Sequence, residues 1–241
     1  MFVDSMEEHK LWVIVPAAGV GSRMGGERPK QYLKLIDRSV LEHTLDRLLS
    51  APGISQIYLP LHPQDKWWPE IADKYTGKVI SVAGGEERST SVLNALEKIE
   101  SHAAIEDWVL VHDVARPCFR ISDISNLMRL LWNTQPGGLL GVPVADTVKR
   151  TNEKGEVLAT VSRANLWRAY TPQMFRFGAL LSALRQGSEK GVHITDEASA
   201  IEAQGLKPVM VEGHSDNIKI THPQDLPLAE IFLRRIMQEE E

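Results

Sequence analysis

The chain carries a single cysteine, Cys118, in 241 residues. An intrachain disulfide framework is therefore excluded, which fits a reducing compartment. Without a CxxC partner, Cys118 reads as a small buried residue and not as a nucleophile. No apolar run approaches the roughly 20 residues of a membrane span. Residues 1–10, MFVDSMEEHK, lack both an apolar signal core and an Arg-rich transit character. The expectation is a soluble, cytoplasmic protein with a short, loosely ordered N-terminal tail. The eight histidines include no HxxxH or HxH pair that would suggest zinc, and no GxSxG string marks an elbow serine. Internal repeats, low-complexity segments and linkers are also missing. Lys and Arg number 27 against 32 Asp and Glu, a net charge of -5, with no long basic run. That composition excludes a general nucleic-acid binder. An acidic chain with an anionic ligand must instead concentrate its positive charge locally.

One stretch does so. Residues 11–32 read LWVIVPAAGVGSRMGGERPKQY. Leu11 to Val15 is apolar and long enough for one buried strand, and Pro16 cannot extend the ladder. The small residues Ala17-Ala18-Gly19-Val20-Gly21-Ser22 then let backbone N–H groups approach an anion closely. Arg23, Arg28 and Lys30 follow. The familiar phosphate loops do not fit: GxxxxGK[ST] is absent, and in GxGxxG Met24 replaces the third glycine after Gly19 and Gly21.

Downstream, Ser39 and Glu42 form a capping-box pair before a helix to Ser50, with Leu41, Leu45, Leu48 and Leu49 on one face. Apolar strands are expected at Ile57 to Leu61, Lys78 to Ala83, Trp108 to Val111 and Leu139 to Val144. The segment Gly84-Gly85-Glu86-Glu87-Arg88-Ser89-Thr90-Ser91 leads into a helix, with Ser89 as its expected N-cap. A further helix carries Ile124, Leu127, Met128 and Leu131 on one face. This alternation predicts an α/β fold with an open, mostly parallel sheet and helices on both faces. Ligands bind such sheets at the carboxyl ends of the strands. The small-residue loop, the Gly84 segment and His112-Asp113 all fall there. The pattern then breaks. Val144 to Arg150 and Val157 to Ser162 flank a polar turn and predict a projecting β-hairpin arm. A helix from Phe177 stopped by Gly187, a helix start at Thr195-Asp196-Glu197 with Thr195 as cap, strands at Lys207 to Val211 and Asn217 to Thr221, and a last helix from Asp225 to Met237 complete the chain. We expect one domain over residues 1–241 with the arm at about 144–162. Trp67 and Trp68 are expected to cover a core edge.

PAAGVGSRM, PKQY, GGEERSTSV, VHDVARP, VADTVKR, TDEAS and DNIKIT occur in that order. Together they resemble the 2-C-methyl-D-erythritol 4-phosphate cytidylyltransferases of the non-mevalonate isoprenoid pathway. The resemblance implies a Rossmann-like fold of the nucleotide-diphospho-sugar transferase type. The implied activity is cytidylyl transfer from CTP to methylerythritol phosphate, releasing pyrophosphate. It also implies a magnesium ion and a homodimer with interlocked arms.

Matched residue by residue, Arg23 and Lys30 are the catalytic cations beside the triphosphate, with Arg163 and Lys219 holding the acceptor phosphate. Ala17, Ala18, Gly19, Gly21, Gly85, Glu86, Arg88 and Ser91 form the CTP half, although Arg88 could orient its loop without touching ligand. Asp113, Arg116, Thr147, Thr195 and Asp216 match acceptor-side positions. Asp113 ends an apolar strand, where an unpaired carboxylate is costly; a magnesium ion, a substrate hydroxyl or Arg116 would each satisfy it. Two departures are visible: Val114 replaces a smaller alanine, and Ser162 stands where other members carry Asp or Pro. A sibling enzyme acting on ribitol 5-phosphate, or a non-catalytic nucleotide sensor, are the alternatives. The presence of both Arg23 and Lys30 argues against the sensor.

Overall fold

Leu11-Trp12-Val13-Ile14 has no charged side chain, and all four residues are buried. Such a strand needs apolar cover on both faces. In this computed structural model, which describes residues 9–19 and 28–240, it forms β1 (Leu11–Ile14) near the middle of a seven-stranded sheet. The other strands are β2 (Lys34–Leu35), β3 (Arg38–Ser39), β4 (Ile54–Leu61), β5 (Val79–Ala83), β6 (Trp108–Val111), β7 (Gly137–Pro143), β8 (Val148–Thr151), β9 (Val157–Val161), β10 (Trp167–Arg176) and β11 (Val209–Glu212). The α-helices are α1 (Val40–Ser50), α2 (Arg88–Ile99), α3 (Ile121–Leu131), α4 (Phe177–Glu189), α5 (Glu197–Glu202) and α6 (Asp225–Glu240). No helix among the described residues is long and apolar enough to cross a membrane.

Successive side chains of a strand point to opposite faces. Leu11, Val13 and Val15 accordingly pack with Leu41, Leu45 and Leu48 of α1 and Leu127 and Leu131 of α3. Trp12 and Ile14 pack on the other face with Val92 and Leu96 of α2 and Leu180 and Leu184 of α4. A third cluster joins Ala229, Leu233 and Ile236 of α6 to Val40 and Cys118. Burial pushes the Cys118 thiol up to about 12, so it is neutral and inert there.

The sheet order is β11-β7-β10-β6-β1-β4-β5. From β1 the chain steps outward through β4 and β5, then returns to the opposite flank of β1 with β6. That reversal opens a crevice beyond the carboxyl ends of β1 and β6. The sheet is mostly parallel, as expected, but β10 runs antiparallel to both β6 and β7. It is absent from the sequence prediction because its buried part includes Thr171, Pro172 and Gln173 where an apolar run was sought. Its register against β7 shifts between Ala169 and Gln173, an irregularity of the kind that re-aims side chains.

Other expectations need correction. Asn217–Thr221 is not a strand; it crosses the crevice, with the Ile220 amide donating to the Ala115 carbonyl at 2.8 Å. The helix predicted to stop at Gly187 continues to Glu189. A Cβ on Gly187 would lie 2.4 Å from Ile194 Cδ1, so the glycine permits a close approach and does not end the helix. Glu87, not Ser89, stands at the N-cap of α2. Asp196, not Thr195, caps α5 through a capping box with Ser199. The Ser39–Glu42 box is present as expected. Trp67 stacks on Tyr32 and Trp68 on Tyr75 at the edge of the core. Among the described residues, strands β8 and β9 pair only with each other, as an antiparallel hairpin.

Candidate active site

The crevice beyond β1 and β6 is a cleft of about 280 Å³. One wall is the backbone of Ala17, Ala18 and Gly19. Gln31 straps this segment down, donating from Nε2 to the Ala17 carbonyl at 2.8 Å and the Gly19 carbonyl at 3.2 Å. The opposite wall is Gly85, Glu86 and Glu87. A Cβ on Gly84 would lie 2.4 Å from the Ala18 Cβ, so this glycine lets the two walls touch. Ser91 holds the second wall in shape: its hydroxyl accepts from the Gly85 amide at 3.0 Å and donates to the Glu87 carbonyl at 3.0 Å. Small residues and backbone polar groups on both walls suit a flat heterocycle read along its edge.

Lys30 lies on the turn Lys30–Tyr32 and donates from Nζ to the Ile220 carbonyl at 3.0 Å. Lys30 and Lys219 line the same cleft. Arg23 and Gly21 fall outside the described residues. Arg28 makes a 3.5 Å surface contact with Glu70.

Asp113 forms the floor. Its carboxylate meets Lys219 Nζ at 2.8 Å, Arg88 Nε at 2.9 Å and, more distantly, Arg116 Nε at 3.5 Å. Burial alone would raise its pKa; Arg88, Lys219 and Arg116 outweigh that and hold it far below the usual carboxylate range. Arg88 is satisfied a second time by Glu197, whose two oxygens accept from Nη1 and Nη2 at 2.6 and 3.0 Å. Burial works against the Arg88 charge, and the two carboxylates more than restore it, keeping the guanidinium protonated.

Behind Asp113 the hydrogen bonds fix a tautomer. His112 is fully buried and its pKa falls from the ordinary 6.5 to about 4, chiefly through burial. The ring is therefore neutral. Nε2 faces the Arg116 carbonyl at 2.9 Å and must donate; Nδ1 then accepts from the Thr171 hydroxyl at 3.2 Å. The same hydroxyl oxygen accepts from the Asp113 amide at 2.9 Å. Thr171 comes from the irregular part of β10. Asn217 donates from Nδ2 to the Thr171 carbonyl at 2.9 Å, and its backbone carbonyl accepts from Arg116 Nη1 at 2.7 Å.

A second, more open cleft of about 340 Å³ lies on the other side of Lys219, with Arg116, Arg168 and Tyr170 on its walls. Four expected acceptor residues are not gathered at either cleft. Thr147 is exposed before β8. Arg163 is exposed at the base of the hairpin and bonds the Ala145 carbonyl. Thr195 is exposed, with its hydroxyl 3.3 Å from Ser199 Oγ. Asp216 pairs with Arg120 at 2.5 Å and lines neither cleft, although its neighbours Ser215 and Asn217 line the second. Arg88 is engaged by two carboxylates at the cleft wall, in keeping with an orienting role.

The donor set does not suit a protein-held metal ion at Asp113. Three cations already crowd that carboxylate, and no group of three His, Cys, Asp or Glu side chains gathers among the described residues.

A family model described as 2-C-methyl-D-erythritol 4-phosphate cytidylyltransferase matches residues 11–235. The chain belongs to this family. It is 51% identical over 229 residues to the 2-C-methyl-D-erythritol 4-phosphate cytidylyltransferase of Vibrio atlanticus, covering 95% of this chain and 97% of that protein. The Pseudomonas fluorescens enzyme of the same name is 50% identical over 217 residues, covering 90% and 92%. The crystal structure of the Francisella tularensis cytidylyltransferase is 36% identical and superposes with a TM-score of 0.81, covering 93% of this chain and all of that one. This chain is thus a nucleotidyltransferase.

Gln31, Thr171, Glu197 and Asn217 complete the site and were not singled out in the sequence. Gln31 stands inside PKQY and Glu197 inside TDEAS, so motif membership was the available signal. Thr171 had none, because the strand that carries it was missed.

Proposed function

We propose that this cytidylyltransferase moves a cytidylyl group from CTP to 2-C-methyl-D-erythritol 4-phosphate, giving 4-diphosphocytidyl-2-C-methyl-D-erythritol and pyrophosphate. The observation that carries the reading is the convergence of Lys30 and Lys219 on a cleft walled by Ala17–Gly19 and Gly85–Glu86. The base lies between the two backbone walls, and the triphosphate lies toward Lys30.

A phosphate oxygen of the acceptor attacks the α-phosphorus of CTP in line. The new P–O bond forms as the bond to the β-phosphate bridge breaks, and pyrophosphate leaves with the electron pair. The nucleophile is already an anion, so no general base is required. The chain has to bring two anions together, and preorganised cations do this best. Lys30 and Arg23 stabilise charge on the α-phosphoryl oxygens and the leaving group. Lys219 and Arg116 hold the acceptor, and Asp113 keeps their charges in place.

Thr147 and Arg163 serve the site of a second copy. The hairpin that carries them leaves Val157 61% and Leu158 62% exposed. A two-stranded hairpin is marginal alone, and a two-fold partner would cover it. We therefore propose a homodimer with exchanged arms. The lone buried Cys118 suits a reducing cytoplasm.

Pyrophosphate release with CTP and methylerythritol phosphate, compared with ribitol 5-phosphate, tests the activity. Turnover of the first acceptor and little of the second is expected. Preference for ribitol 5-phosphate would overturn the assignment of the acceptor, and CTP binding with no release from either would overturn the reaction.

A further inference from the structure

Glu197 is 1% exposed and is the first residue of α5. Taking a carboxylate out of water is costly, and a buried ion pair is a poor way to gain stability over apolar packing. What such a pair supplies is direction. The guanidinium is a rigid planar fork, so fixing two of its nitrogens fixes the third. Glu197 grips Nη1 and Nη2 of Arg88 at 2.6 and 3.0 Å, and Nε then meets Asp113 at 2.9 Å.

The ends of this bridge belong to different parts of the site. Arg88 directly follows the wall Gly85–Glu87 and opens α2. Glu197 lies two residues beyond Thr195. The start of α5 is itself anchored, because Gln173 of β10 donates to Asp196 Oδ2 and accepts from the Ala198 amide, each at 2.9 Å. A single ion pair therefore ties the nucleotide wall to a frame built from β10 and α5, and through Asp113 to Lys219.

We propose that Glu197 is a positioning residue that, through its two-point grip on Arg88, sets the shape of the pyrimidine-reading wall and couples it to the acceptor side. This rests on the nucleotide assignment above. Loosening the grip lets Arg88 and the Gly85–Glu86 backbone drift, so cytosine is read less sharply. The uncharged part of the nucleotide loses most, because its recognition depends on the placement of backbone groups.

Initial rates with CTP and with UTP, at fixed methylerythritol phosphate, test the idea in Glu197→Gln, Glu197→Asp, Arg88→Lys and the Glu197→Gln/Arg88→Lys double variant. Melting temperature is measured alongside, to identify variants that remain folded. In Glu197→Gln the KM for CTP should rise about tenfold with a smaller fall in kcat, and the CTP-over-UTP preference should drop by about the same factor, within the usual range of coupling between sites. Glu197→Asp keeps the charge but cannot span both nitrogens, and should fall between wild type and Glu197→Gln. The double variant should be no worse than the poorer single, as for residues acting as one unit. A folded Glu197→Gln or Glu197→Asp with wild-type KM and wild-type CTP-over-UTP preference overturns the proposal and leaves the pair as an anchor for α5. Should Glu197→Gln fail to fold, Glu197→Asp and Arg88→Lys decide by the same two readouts. Wild-type protein that releases no pyrophosphate from CTP would overturn the nucleotide assignment instead, a result distinct from either.

Discussion

The two halves of the site are built in opposite ways. On the nucleotide side, four side chains are tied down: Lys30 to Ile220, Gln31 to Ala17 and Gly19, Ser91 to Gly85 and Glu87, Arg88 to Asp113 and Glu197. On the acceptor side, Thr147, Arg163 and Thr195 are exposed and spread over the hairpin and the start of α5. The first arrangement is preorganised within one chain. The second is fixed within the chain only at Lys219 and Arg116, and its exposed Val157 and Leu158 are what the proposed dimer with exchanged arms would cover. Rigidity is placed where charge must be balanced and a base read, and openness where a partner's arm would close the site.

The sharpest way to break this comparison is to ask whether the nucleotide half discriminates by itself. Both walls present backbone groups, and Gly84 brings them into contact at Ala18. A site that hydrogen-bonds a substrate edge leaves its own groups unpaired when the edge is wrong. The specificity constant for CTP should exceed that for ATP on the order of a thousandfold or more. Comparable constants would mean that the walls do not read the base.

A smaller effect, on rate alone, is expected at Lys30. Removing one preorganised charge contact typically costs about 3 kcal/mol, on the order of a hundredfold in turnover. Lys30→Ala should show that loss in kcat with little change in melting temperature, because the side chain lies at the cleft and not in the core. Turnover near wild type would remove Lys30 from the mechanism.

The acceptor half is tested by mixing subunits. Lys30→Ala and Arg163→Ala are each expected to be nearly inactive alone. In a dimer with exchanged arms, a mixed pair has one site with both lesions and one with neither. Random pairing makes about half the dimers mixed, so roughly a quarter of the wild-type sites should reappear, given two-fold symmetry. Mixed dimers with no recovered activity would place Arg163 in its own subunit's site.

The same contrast explains what the sequence made legible. Local signals were readable: the apolar run of β1, the Ser39–Glu42 cap, the small-residue loops and the position of Lys30. Asp113 was also correctly seen to need a partner. Its nearer partners, however, are Arg88 and Lys219, with Arg116 more distant, and the first lies 25 residues away. No local pattern records which distant cation reaches a buried carboxylate. Strand β10 was hidden for a related reason. Thr171 and Gln173 are buried to serve His112, Asp113 and α5, so the strand lacks the apolar signature that a packed strand ordinarily shows. Residues recruited to hold a site are the ones that blur the pattern of the fold.

The effect smallest in turnover concerns the base of the nucleotide half, and it is read in stability. Folding lowers the His112 pKa from 6.5 to about 4, so the unfolded chain binds the proton more readily. The stability this neutral ring contributes is present in full above the unfolded value. It is lost as pH falls through the window from 6.5 toward 4, where unfolded chains are protonated and the native ring is not. Between about pH 7 and about pH 5 the loss should be about 2 kcal/mol. His43 adds to the same acid limb, since burial lowers its pKa too. Asp113 acts only at lower pH, because its depressed pKa costs stability once the medium falls below the usual 3.8. Glutamine at 112 keeps one donor for the Arg116 carbonyl and one acceptor for Thr171 while removing the titration. Urea unfolding of His112→Gln at a series of pH values should therefore show a flatter decline than wild type over that window, with the remainder due to His43. An unchanged decline would show that folding leaves the His112 pKa where it stands in the unfolded chain, which would overturn the assignment of a ring held neutral by burial.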